Sequence, residues 1–142
     1  MLLSLLLVGC SSAGTSQESV IEVVFDGVDC IVSGPTELPS GEVTTRFVDQ
    51  TDLNAELWLV NLDEGKTIQD QLDLQSEPGV WFPKPDWVHY DSRVANESQE
   101  QNGNRIDTET WDLSKVGEHN ILCYVSSPEQ LLWFAAPVYI VE

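Results

Sequence analysis

The sequence predicts an all-β protein: a Greek-key β-sandwich carrying one short helix and one long irregular loop. Three observations lead there. Roughly seven short stretches alternate apolar with polar residues, or run through β-branched and aromatic ones, as strands of a sandwich do. Glycine, proline and Asp-Gly turn signals separate these stretches. Only one stretch carries apolar residues at helical spacing.

In chain order, Val20 to Phe25 reads as the first strand, and Asp26-Gly27 closes it. Cys30 to Ser33 resumes, and Gly34-Pro35 breaks the chain again. Leu38-Pro39-Ser40-Gly41 is a turn by composition. Glu42 to Val48 alternates, with Val43, Thr45 and Phe47 on one face and Thr44, Arg46 and Val48 on the other. Ala55 to Leu62 also alternates, Leu57, Leu59 and Asn61 opposing Trp58, Val60 and Leu62. Both of its faces are apolar enough for a central strand. Gly65-Lys66-Thr67 opens the helix. Thr67 can cap it, Asp70 sits three residues on, and Ile68, Leu72 and Leu74 supply an apolar stripe. From Gln75 to Asn104 the pattern is least regular. Pro78, Gly79, Pro83, Pro85 and Gly103 interrupt it, and Ala95 to Asn104 is a polar run, so it reads as one long loop of the kind that binds or moves. Strands return at Arg105 to Leu113, Glu118 to Ser126 and Pro137 to Val141, with a turn at Val116-Gly117. No internal repeat is present.

Charge narrows the function classes. The chain has 24 acidic and 6 basic residues, a formal net charge of −18. Nucleic-acid binding is excluded, because neutralising phosphates needs clustered Lys and Arg. Anionic headgroups would repel the domain as well. Acidity of this kind serves solubility or a salty habitat, or else attracts cations or a basic partner.

The N-terminus supplies another route to a membrane. Leu2 to Val8 is apolar, broken only by Ser4, and Gly9 and Cys10 follow. The run Leu7-Val8-Gly9-Cys10 resembles the lipobox of bacterial lipoproteins. The resemblance implies a signal peptide at 1–9, lipid attachment at Cys10 and an extracytoplasmic protein anchored in the cell envelope. The sequence departs from the pattern in having no Lys or Arg before a rather short apolar run. That run is also too short for a transmembrane helix, which needs about 20 apolar residues. Residues 10–19 are small and polar and read as a flexible tether. The folded domain is then 20–142. With Cys10 assigned to lipid, Cys30 and Cys123 remain as an even pair in an oxidising compartment, predicting a disulfide; two buried free thiols are the alternative.

The domain carries a second resemblance. Cys30-Ile31-Val32-Ser33-Gly34-Pro35, the turn Leu38 to Val43 and the strand Thr44 to Asp49 look like the first half of a cupredoxin-like domain. Val116-Gly117-Glu118-His119-Asn120-Ile121-Leu122-Cys123 resembles that family's closing motif, a glycine turn followed by a strand ending in Cys. The resemblance implies a cupredoxin-like sandwich, although an immunoglobulin-like one would satisfy the same periodicity. The copper ligands are missing. Such a site needs two His and one Cys, usually with an axial Met. No His or Met lies between Tyr124 and Trp133, and none occupies Gln50 to Asn54. No cofactor or metal is therefore expected.

Other candidates are weighed by chemistry. His119 shares a strand face with Cys123 and reads as a strand-surface residue, since two ligands make no zinc site. His89, beside Asp91, would need a nucleophile in reach to act as a base. No catalytic motif accompanies it, so the chain is not expected to be an enzyme. Asp49, Asp52, Asp63, Glu64, Asp86, Asp91 and Glu97 offer carboxylates near strand ends and in the long loop, but match no calcium loop. The most suggestive surface is aromatic: Trp81, Phe82, Trp87 and Tyr90 in the proline-rich segment, with Trp133 and Phe134 near the last strand. Rings with polar handles favour binding sites. The expected function is a membrane-anchored, non-catalytic binding module with a protein or glycan partner. A copper-carrier-like protein and an envelope enzyme are the alternatives.

Overall fold

The computed structural model of the chain describes residues 20–75, 85–90, 92–126 and 131–142. The elements are β1 (Val20–Phe25), β2 (Cys30–Ser33), β3 (Glu37–Pro39), β4 (Gly41–Asp49), β5 (Glu56–Leu62), α1 (Ile68–Gln75), β6 (Val88–Tyr90), β7 (Ser92–Gln101), β8 (Asn104–Leu113), β9 (Gly117–Val125) and β10 (Leu131–Val141). They build an all-β sandwich of two five-stranded sheets, ordered β2-β1-β4-β8-β7 and β3-β10-β9-β5-β6. Neighbours are antiparallel except for β1 with β4 and β3 with β10, which are parallel. The N-terminal residues to 19, including Cys10, lie outside the described residues, as do Trp81, Phe82 and Asp91.

Alternation places the core between the sheets. The first sheet contributes Ile21, Val23, Phe25, Val43, Phe47, Trp111 and Leu113; the second contributes Leu57, Leu59, Ile121, Val125, Val138 and Ile140. One polar chain crosses the inside of the first sheet. Trp111 Nε1 donates to Thr45 Oγ1 at 2.8 Å, and Thr45 in turn donates to the Glu109 carbonyl at 3.3 Å. A disulfide joins Cys30 on β2 to Cys123 on β9, 93 residues apart, and so ties one sheet to the other.

Three segments differ from the sequence reading. Leu38 to Gly41 is more than a turn. Its first residues form β3, a short strand on the opposite sheet from β2, and Leu38 is fully buried. The chain changes sheets at Gly34, whose φ is +124° and where a Cβ would come 3.0 Å from the Val20 carbonyl oxygen. Only glycine fits that close approach.

The last strand begins at Leu131, not Pro137. Its register shifts between Phe134 and Ala136. This bulge resets the two-residue phase, so Trp133 before it, Ala135 within it, and Val138 and Ile140 after it all pack on the core. A period-two pattern cannot follow the strand through that break.

The stretch from Gln75 to Asn104 is not one loop: Val88–Tyr90 form β6 on the second sheet, and the polar run from Ala95 is not a loop either. It lies in β7, paired with β8 through a two-residue turn at Asn102-Gly103 whose φ angles are +54° and +80°. An Asn-Gly pair with both φ positive is the favoured hairpin turn. β7 is an edge strand, and its residues Glu97 to Gln101 are exposed, so no apolar face is needed there.

The helix starts as its residues dictate. Thr67 N and Oγ1 both donate to Asp70 Oδ2 at 2.8 Å, and Asp70 N donates back to Thr67 Oγ1 at 3.3 Å. These bonds, with Lys66 nearby, hold the Asp70 carboxyl below its usual range. α1 packs Ile68 on the outer face of the second sheet. Gln71 is also buried on this helix, only 1% exposed, and neither its Oε1 nor its Nε2 has a partner among the described residues. An orphaned buried amide costs about 1–3 kcal/mol. Gln71→Met should therefore raise stability by about 1–2 kcal/mol, seen as a higher urea midpoint at unchanged slope. A lower midpoint would mean that the amide is satisfied.

A candidate aromatic binding face

The outer face of the second sheet is the most distinctive surface of the domain. Register assembles it. Trp58 on β5 pairs with Leu122 on β9, and Tyr124 lies one step diagonal on the same face. The Trp58 and Tyr124 rings stack with centroids 4.2 Å apart and planes 27° apart. Tyr90 on β6 pairs with Val60, the next outward residue of β5, and meets Trp58 edge-on at 5.1 Å. On the far side, Leu132 and Phe134 of β10 pair with Tyr124 and Leu122. Tyr90, Trp58, Tyr124, Leu132 and Phe134 therefore form a row across four adjacent strands, which spans roughly 15 Å at a strand spacing of about 4.8 Å.

The two ends of the row are open to solvent: Tyr90 is 37% and Phe134 36% exposed. Trp58 is half-buried and Tyr124 is buried beneath its stack. One carboxylate is built in, because Glu56 Oε2 accepts the Trp58 indole N–H at 3.0 Å. Burial pushes the Tyr90 phenol up to about 12, with Tyr124 alongside adding to the shift. Burial also raises the Tyr124 phenol, and Glu56 adds to it. Both hydroxyls therefore stay protonated at neutral pH as donors.

The sequence-predicted aromatic residues divide. Tyr90 and Phe134 belong to the row. Trp87 packs beside it against the Val60–Val88–Leu122 cluster, with Lys66 Nζ 5.0 Å from its ring centroid. Trp133 does not join them. It pairs with Cys123, points into the core and lies 4.8 Å from the Phe25 ring. Adjacent strand residues face opposite ways, so Trp133 and Phe134 cannot share a surface. Trp58 and Tyr124 were missed, because neither stands in an aromatic run and only the β5–β9 register brings them together.

The other candidates resolve as follows. His119 is fully buried rather than on a strand surface; its Nε2 lies 2.7 Å from the Lys115 carbonyl oxygen. It does share the core-facing side of β9 with Cys123. His89 Nε2 lies 2.9 Å from Asp63 Oδ1, with both side chains about half exposed, while Asp91 lies outside the described residues. Asp49 is buried with its oxygens committed to the Thr51 and Ala55 amides and to Arg105, which makes it a structural hub and no open ligand. Among the described residues no group of three or more His, Cys, Asp or Glu could hold a metal ion. No helix among them is long and apolar enough to cross a membrane. No protein-family model matches the chain, and no curated protein matches it in sequence.

Proposed function

We propose that this protein is a lipid-anchored, extracytoplasmic and non-catalytic binding module, a cupredoxin-like sandwich without copper that takes a neutral glycan on its aromatic face. The observation that carries the reading is the row Tyr90–Trp58–Tyr124–Phe134. Sugar rings present apolar C–H faces to aromatic rings, while Tyr hydroxyls and the Glu56 carboxylate offer hydrogen bonds. The net charge of −18 works against an anionic glycan, which selects a neutral one.

The anchor rests on Leu7-Val8-Gly9-Cys10 and the polar stretch after it. The cupredoxin-like reading draws support from the strand that opens at Gly117 and runs through Cys123 beside the last strand. A copper carrier would need the Cys123 thiolate, whereas that sulfur is bonded to Cys30. The intact mass of protein taken from its own membranes tests the anchor: a lipid increment on a chain starting at Cys10 is expected, and an unmodified N-terminus would remove it. A neutral-glycan array, followed by titration of tryptophan fluorescence, tests the face. Tyr90→Ala should leave the fold intact and weaken glycan binding about tenfold, the loss of one stacking contact. Unchanged binding, or a protein partner that the same substitution displaces, would refute the glycan.

A further inference from the structure

The two sheets have four edges, and the chain treats them unequally. β2 is 4 residues long, while β3 and β6 are 3 each. Short strands are one way proteins blunt an edge. β7 is 10 residues long, contains no Pro or Lys, and pairs only with β8 among the described residues. Its single irregularity lies near its start, between Arg93 and Ala95; from Ala95 to Gln101 the register with β8 is unbroken.

The hairpin turn fixes which backbone groups are free. Gln101 and Asn104 flank the two-residue turn and so exchange both of their hydrogen bonds. Alternation then turns Gln99 and Glu97 toward β8. The N–H and C=O groups of Glu100, Ser98 and Asn96 point away from the sheet. A row of such groups is satisfied by an added extended strand.

Charge decides which strand. Glu97 and Glu100 are exposed on this edge, and the whole chain carries −18. A second copy would bring two strongly acidic surfaces together, whereas a basic chain is attracted. We infer that β7 is a docking edge that accepts an extended, Lys- or Arg-bearing segment of a partner protein as a sixth strand of the first sheet. The edge lies on the other sheet from the aromatic row, so the inference does not depend on the glycan reading.

Amide hydrogen exchange, read by NMR on the full-length protein, tests it. The probe is a synthetic peptide of about eight residues alternating Thr and Lys, a length matched to the regular part of β7. In the free protein the amides of Asn96, Ser98 and Glu100 should exchange fast, and those of Glu97, Gln99 and Gln101 slowly. Adding the peptide should slow the first set at least tenfold. A Thr/Glu peptide should not, and Glu97→Lys with Glu100→Lys should reverse the preference. Absence of protection at millimolar Thr/Lys peptide would overturn the proposal. So would protection that appears without peptide as protein concentration rises, since the occupant would then be a second copy.

Discussion

Reducing the Cys30–Cys123 disulfide is expected to cost roughly 4 kcal/mol, the loop-closure value for a bridge spanning about 90 residues. The separation is 93 residues, so the bridge constrains most of the domain in its unfolded state, all but β1 and the segment with β10. The position adds to the effect. β2 is an edge strand of 4 residues held by β1 alone, and the bridge carries it across to β9 in the other sheet. Without it, β2 keeps only its ladder and the packing of Val32. The melting temperature should fall by roughly 15 °C for a domain of this size, under reductant and in the Cys30→Ala/Cys123→Ala variant alike. Calorimetry of both samples checks this. A fall of less than about 3 °C would mean that the core holds the sheets without the staple.

The sandwich was legible because its central strands carry their burial in their side chains. Val43, Thr45 and Phe47 face inward in the predicted phase, and so do Leu57 and Leu59. The Thr67–Asp70 cap was legible for the same reason, since both partners lie within one turn. Elsewhere the information was not in hydrophobic alternation. From Glu97 to Gln101 β7 is polar and exposed on both faces, and its signal was Asn102-Gly103, which marks a hairpin by backbone conformation alone. β10 changes phase at a bulge, which splits one strand into two incompatible patterns. His119 lies buried because the Lys115 carbonyl satisfies it, a contact that residue type does not announce. The aromatic face shows the same division. A wealth of Trp and Tyr pointed toward a binding surface, but membership in it depends on register. That is why Trp58 and Tyr124 enter it and Trp133 leaves it.

Register also explains why one carboxylate should matter more than any other described. Asp49 ends β4, where the chain leaves the first sheet for the second, and it is only 1% exposed. Its Oδ1 accepts Thr51 N at 2.9 Å and Thr51 Oγ1 at 2.7 Å, and its Oδ2 accepts Ala55 N at 2.9 Å. Arg105 Nη2 lies 3.7 Å from that second oxygen. The same guanidinium donates to the Ala55 carbonyl and, at 3.2 Å, to Asn54 Oδ1. One ion pair therefore fixes both ends of the crossing loop, including Asn54 at φ +51°. Asp49→Ala would strand the buried Ala55 N–H and remove the acceptor of both Thr51 bonds, while Arg105 would keep Asp107, whose Oδ2 accepts its Nε at 3.0 Å. Hydrogen bonds to a charged group contribute about 1.5–3 kcal/mol each, so losing this acceptor should cost a large share of the roughly 5–15 kcal/mol that a domain has. Asp49→Asn keeps one acceptor oxygen but turns an NH₂ toward a donor, and should lose about 2 kcal/mol. Urea unfolding of both variants, with Arg105→Gln and the Asp49→Ala/Arg105→Gln double variant, gives the coupling directly. The double variant should lose less than the sum of its parts, because Arg105→Gln leaves the buried Asp49 carboxylate without this cation, a cost that vanishes once Asp49 is also removed. Additive losses, or a cost below about 1 kcal/mol for Asp49→Ala, would show that the loop is held by its backbone and not by this pair.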